Sequence, residues 1–205
     1  MPTLKLHTFA LSGHAHRVEL MLSLLGLPFE RIAVDLPHGA HKQPAYLALN
    51  PLGQVPVLED GETLIADSNA ILVYLALQYD ASRSFLPQQP LAAARVQRWL
   101  SLAAGELVGG PARLRAAAVF GRDIDKREPQ QISAKLLSFM QETLAAQPWL
   151  AGAQRTLADV ALYTYVSHAP EGGVSLEPYP AVRAWLARVE ALPGFVPMQR
   201  QAAAS

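Results

Sequence analysis

The chain of 205 residues contains no cysteine. That absence excludes disulfides, thiolate metal sites and any chemistry in which a thiol of the protein is the nucleophile. Net charge is missing as well, since 17 Lys and Arg balance 17 Asp and Glu. With no charge excess there is no electrostatic reason to expect nucleic acid or an anionic membrane as partner. Long apolar runs are also absent. The stretch 20–27 falls well short of the roughly 20 residues that span a bilayer. Ahead of it, Lys5, His7, His14, His16 and Arg17 stand where a signal peptide would carry its apolar region. The expectation is a cytoplasmic protein whose partner is small or proteinaceous, with no metal, no membrane and no nucleic acid.

What remains is enough for one domain or two small ones, and local patterns divide it. Residues 4–9 alternate apolar and polar like a strand. Gly13 precedes 17–25, where Val18, Leu20, Met21, Leu22, Leu24 and Leu25 suit a largely buried helix that Gly26 and Pro28 stop. Residues 29–34 alternate again, so the chain opens β-α-β with a parallel crossover. A polar stretch and a helical turn at 45–49 lead to Asn50-Pro51. Runs at 55–58 and 63–66 then flank Glu59-Asp60-Gly61-Glu62, a hairpin signal. Asp67-Ser68 offers an N-cap to a helix over 70–79. Residues 80–90, with Pro87 and Pro90 and no periodicity, read as a linker. Beyond it the pattern is helical at 91–107, 130–146, 157–168 and 181–192, broken at Gly109-Gly110-Pro111, Pro148, 170–173 and Pro193-Gly194. The whole is a small α/β domain followed by an all-α domain, without internal repeats.

One stretch, PLGQVPVLEDG at 51–61, places Pro56 at the entrance of a strand, where a proline costs a backbone donor. A β-α-β-β-α domain with an X-Pro bond before its third strand resembles the thioredoxin fold. Followed by a helical domain, it is similar to the cytosolic glutathione S-transferases. The residues that carry this resemblance are Ser12-Gly-His-Ala-His-Arg17, His41-Lys42, Asn50-Pro-Leu-Gly-Gln-Val-Pro-Val-Leu58, Asp67-Ser-Asn-Ala-Ile71 and Thr156-Leu-Ala-Asp159. The resemblance implies a thioredoxin-like glutathione-binding domain over 1–79, a linker over 80–90 and an all-helical substrate-binding domain over 91–205. The missing cysteines point away from redox thioredoxins and cysteine-type transferases and leave a serine-type member possible; the chain resembles a bacterial, serine-type one.

In that form the Ser12 hydroxyl donates to the sulfur of glutathione. Bringing a thiol from a pKa of about 8.5 down by roughly two units takes about 2.7 kcal/mol of preference for the thiolate. One charge-assisted hydrogen bond of about 1.5–3 kcal/mol, with about 0.3–1 from a helix N-terminus, suffices. The residues alone equally allow Ser12 to be a helix cap. His14 and His16, close by, read as surface histidines. The resemblance assigns the glycine carboxylate of glutathione to His41 and Lys42, which could otherwise be a solvated loop. It gives Gln54 a side-chain contact and Val55 a main-chain pairing with the cysteinyl unit. Pro56 is expected to be trans by the frequencies of X-Pro bonds but cis by the resemblance. Asp67 and Ser68 would hold the γ-glutamyl ammonium and carboxylate, or simply cap their helix. Thr156 and Asp159 form a capping box and read as structure. Trp99, Trp149 and Trp185 sit in apolar helical patterns as core or interface. Gly109-Gly110 suggests a bend or a close backbone approach.

The implied activity is that of a homodimeric detoxification transferase: glutathione is the co-substrate, and its thiolate attacks a small, apolar electrophile. Two alternatives stay open. One is a non-catalytic interaction or regulatory protein on the same fold. The other is an enzyme that uses glutathione without net conjugation, as an isomerase, peroxidase or dehalogenase.

Overall fold

The computed structural model describes residues 4–200, which form two compact units: residues 4–81 together with Pro193–Gln199, and Ser82–Leu192 with Arg200. In the first unit, strand β1 (Leu4–Thr8) leads through Ser12 into α1 (Gly13–Leu24), followed by β2 (Phe29–Ala33), the short helix α2 (Pro44–Leu47), β3 (Val57–Asp60), β4 (Thr63–Ala66) and α3 (Ser68–Tyr79). The sheet order is β2-β1-β3-β4, with β1 parallel to β2 and antiparallel to β3. This is the expected mixed sheet of a thioredoxin-like domain.

Register explains the core. Leu6 pairs with Leu58 and both are fully buried, while their neighbours His7 and Val57 pair on the opposite face. There the His7 ring meets Tyr46 of α2 edge-on at 5.9 Å, and Val57 joins Tyr46 and Val34 in a small apolar cluster. Asp60, at the hairpin turn, accepts hydrogen bonds from the hydroxyls of Tyr74, at 2.7 Å, and Tyr79, which fasten the β3–β4 hairpin to α3.

Helix α1 begins four residues before the expected position 17. Ser12, in extended conformation, caps it by accepting from the Ala15 amide at 3.2 Å, so Gly13, His14, Ala15 and His16 join its first turn. Gly26, at φ 66°, follows its C-terminus as expected. The C-terminal assignment needs a larger change. The sequence places everything after residue 90 in the helical domain, yet Pro193–Gln199 packs with the first unit. There His16 Nε2 lies 3.0 Å from the Val196 carbonyl, and the Ser23 hydroxyl donates to the Gly194 carbonyl at 2.6 Å. Gly194 makes this possible, because a Cβ at that position would lie 2.7 Å from the Ser23 carbonyl oxygen.

The second unit opens with α4 (Pro90–Ala104), capped by Gln89, and continues through a wide helical turn (Val108–Ala112) into α5 (Arg113–Val119). The sequence pattern predicts one helix over 91–107 and no α5, because Gly109-Gly110-Pro111 reads as a stop. The chain instead bends there and resumes. A Cβ on Gly110 would meet the Ser133 hydroxyl oxygen at 2.9 Å, so the glycine permits a close approach to α6 (Arg127–Ala146). Then come α7 (Leu157–Ser167), buried along its whole length, and α8 (Pro180–Glu190). Among the described residues no helix is long and apolar enough to cross a membrane.

The Thr156–Asp159 capping box is present at the start of α7. Asp159 is 1 % exposed and accepts from the amides of Leu150 at 3.1 Å and Thr156 at 2.8 Å, and from the Trp185 indole at 2.9 Å. Burial outweighs these donors and pushes the carboxyl up to about 6. Trp185 is therefore core with a polar handle. Trp99 is buried against Phe139 with ring centroids 5.2 Å apart, and Trp149 is half-buried beneath Arg188.

Candidate active site

The groove of the first unit is built from three chain reversals at the ends of sheet strands. The first is the turn after β1, where the Ser12 amide donates to the Phe9 carbonyl at 2.8 Å and sets Ser12 at the head of α1. Its hydroxyl oxygen uses a lone pair on the Ala15 amide, which leaves the hydroxyl hydrogen to donate elsewhere. Capping and donation to a ligand are thus compatible at one side chain.

The second reversal is the loop 50–56. Asn50, 4 % exposed, donates from Nδ2 to the Gln54 carbonyl at 2.9 Å, and the Tyr46 hydroxyl donates to the same oxygen at 3.0 Å. The Leu52 amide returns to Asn50 Oδ1 at 3.1 Å. Gly53, at φ 59°, packs so closely on the His41 carbonyl that a Cβ would lie 2.8 Å from it. These contacts hold the Gln54-Val55-Pro56 backbone. The Val55–Pro56 peptide is cis. The strand ladder begins at Val57, two residues after the expected start, so Val55 lies outside it and lines the groove.

The third reversal is the start of α3. Asp67, the N-cap, has φ 73°, a conformation rare outside glycine, and its carboxylate accepts from the Ala70 amide at 2.9 Å. Ser68 is buried, with the Arg17 guanidinium donating to its hydroxyl oxygen at 3.2 Å.

Together these segments enclose a cavity of about 530 Å³, lined by Ser12, His41, Gln54, Val55, Pro56, Asp67 and Ser68 among others. That volume lies within the range of about 300–1,000 Å³ usual for small-molecule sites. His41 Nδ1 is shielded and has no hydrogen-bond partner among the described residues. Lys42, at the end of the turn Ala40–Lys42, is exposed and lies outside the lining.

The two histidines of α1 depart from expectation. His14 is a lining residue, not a surface one. Burial, with the charge of Arg17, drives its imidazole down to about 3 and keeps it neutral near pH 7. His16 is 5 % exposed and engages Val196. Asn50, Tyr46 and Arg17 have positions in the site that sequence pattern does not reveal. Asn50 and Arg17 stood inside the quoted motifs, so their types were visible but their burial was not.

Two family models match the chain, "Glutathione S-transferase, N-terminal domain" over residues 11–78 and "Glutathione S-transferase, C-terminal domain" over 112–193. Glutathione S-transferase 3 of Zea mays is 34 % identical, across 95 % of this chain and 92 % of its own. The chain belongs to the glutathione S-transferase family. A glutathione S-transferase structure from Pseudomonas fluorescens superposes with a TM-score of 0.89 at 36 % identity, covering 96 % of this chain and 99 % of that one. The maleylacetoacetate isomerase of Pseudomonas aeruginosa is 34 % identical over 97 % of this chain and 95 % of its own. Family and fold therefore agree with the expected thioredoxin-like and helical halves of a glutathione transferase.

Proposed function

We propose that, within the glutathione transferase activity of its family, this chain binds glutathione along the 51–68 side of the groove and uses Ser12 to hold its sulfur as a thiolate. The cysteinyl unit pairs with the main chain of Val55, as a peptide adds to a strand edge. Gln54 contacts the tripeptide from the rim. The γ-glutamyl ammonium meets the Asp67 carboxylate and its carboxylate meets Ser68 at the N-terminus of α3, where helix amides favour an anion. The glycine carboxylate lies toward His41, whose shielded Nδ1 has no partner among the described residues, with Lys42 adding an exposed cation on the same turn.

The single observation that supports this most is the convergence of Ser12, Val55, Asp67 and Ser68 on one cavity of suitable size. With no cysteine in the chain, glutathione supplies the only thiol. The reaction is nucleophilic attack by the oriented thiolate on a small apolar electrophile, which makes it chiefly a matter of proximity and pKa tuning. In this reading 1–79, joined by Pro193–Gln199, is the glutathione-binding domain, 80–90 the linker and 91–192 the substrate domain, in a cytoplasmic homodimer.

Conjugation of a chloronitrobenzene by the purified protein, followed for the native chain and Ser12→Ala, tests the proposal. The expected result is conjugate formation that falls about 10- to 100-fold in the variant. Glutathione binding with no conjugation in either protein overturns the enzyme reading in favour of an interaction module.

The likeness to a maleylacetoacetate isomerase supports a second reading, in which the adduct collapses and glutathione returns unchanged. Product analysis separates the two: a stable thioether for transfer, recovered glutathione for isomerisation.

A further inference from the structure

Arg17 is 1 % exposed on α1, where Val18, Leu20, Met21 and Leu22 after it are fully buried. Charged side chains at such depth are often replaced by apolar ones with no loss of stability, so a guanidinium there points to a task beyond folding. Its Nη1 donates to two residues at the start of α3, Ser68 Oγ at 3.2 Å and Asn69 Oδ1 at 2.8 Å.

We infer that Arg17 is a positioning residue for the γ-glutamyl carboxylate of glutathione, fixing the Ser68 oxygen as an acceptor on its buried side and so committing the Ser68 hydroxyl hydrogen to the groove. A guanidinium can only donate, so toward Arg17 the hydroxyl must accept, and its one hydrogen is left for another acceptor. Two acceptors can compete for it. One is His14 Nδ1, which stands 3.4 Å away, at the outer limit of a hydrogen bond. The imidazole is neutral, as burial and Arg17 hold it near 3, so one of its ring nitrogens is an acceptor. A carboxylate is the stronger acceptor, because a charge-assisted bond is about twice as strong as a neutral one. Glutathione binding thus exchanges a long bond to His14 for a short one to the ligand. The second contact, to Asn69, fixes the orientation of the guanidinium and ties α1 to the first turn of α3. Ser68 therefore presents a donor and the neighbouring Asp67 an acceptor, and this polarity selects a carboxylate at one position and an ammonium at the other.

The inference rests on the placement of the γ-glutamyl carboxylate at Ser68 proposed above. Its test compares kcat/KM for glutathione with that for γ-aminobutyryl-cysteinyl-glycine, which lacks only that carboxylate. In the native chain the ratio should be about 10 to 100, the usual worth of one charge-assisted hydrogen bond. Arg17→Lys keeps the cation but shortens the reach to Ser68. It should cut the ratio at least about fivefold, through a raised KM for glutathione with kcat nearly unchanged. Asn69→Leu, which removes the second partner of the same guanidinium, should lower the ratio about twofold. If Arg17→Lys and Asn69→Leu slow both substrates by equal factors, Arg17 is structural only and the inference is overturned. A ratio near one in the native chain instead overturns the placement at Ser68, and the inference with it.

Discussion

The chain caps helices in two different ways. At α7 the Thr156–Asp159 box is buried, and its carboxylate is spent on the amides of Leu150 and Thr156 and the indole of Trp185. At α1 and α3, Ser12 and Asp67 each satisfy one helix amide beside an open cavity and keep hydrogen-bonding capacity in reserve. The residue types are similar, and in each case a side-chain oxygen accepts from an amide of the first helical turn. What separates structure from site is whether any donor or acceptor remains after the cap is made.

The sharpest break of this comparison is Asp159→Ala. It strands three buried donors at about 1–3 kcal/mol each, a loss of about 3–5 kcal/mol or more against a usual total of about 5–15. Urea unfolding should show the helical unit destabilised by that amount, or the variant should fail to accumulate in soluble form. A change under about 1 kcal/mol would show that the closed cap is dispensable.

Next in size is a pH effect. The folded carboxyl of Asp159 is raised to about 6 from an ordinary value near 3.8, so the folded state holds this proton more tightly than the unfolded state. Its stabilising contribution is complete below about pH 4 and is lost as pH rises through about 6, up to about 3 kcal/mol in all. Asp159→Asn cannot titrate. The stability gap between native and variant should therefore narrow between pH 4 and 7 in parallel urea titrations, and a constant gap would contradict the assignment.

At the open caps the effect should appear in function first. Ser12→Ala is expected to lower kcat/KM by about 10- to 100-fold, while costing about 1 kcal/mol in stability for the lost cap. Smallest is Asp67→Asn. Asparagine keeps an acceptor for the Ala70 amide and tolerates the positive φ, so stability should stay within about 0.5 kcal/mol. KM for glutathione should nevertheless rise about tenfold, as the partner of the ligand ammonium is neutralised. Equal losses of stability and binding would blur the two kinds of cap.

Much of the groove was legible because prolines and glycines punctuate it. Asn50-Pro51, Gly53, Pro56 and Asp60-Gly61 punctuate this segment, so the loop before β3 and the β3–β4 turn follow from local chemistry. Arg17 and His14 were not legible. Helical periodicity assigns a charged or polar residue to the solvent side, and only the packing of α3 against α1 buries the guanidinium. The return of Pro193–Gln199 to the first unit was hidden for a related reason. A Pro-Gly pair announces that a helix ends, while the direction of the chain afterwards is decided by Gly194 meeting Ser23, 171 positions earlier.

The central claim is that Ser12 donates to the sulfur of glutathione, and titration of the bound thiol through the ultraviolet absorbance of its thiolate tests it most directly. The account predicts a pKa about two units below that of the free thiol in the native chain, returning most of the way in Ser12→Ala. Bound glutathione that titrates as it does in free solution would contradict it.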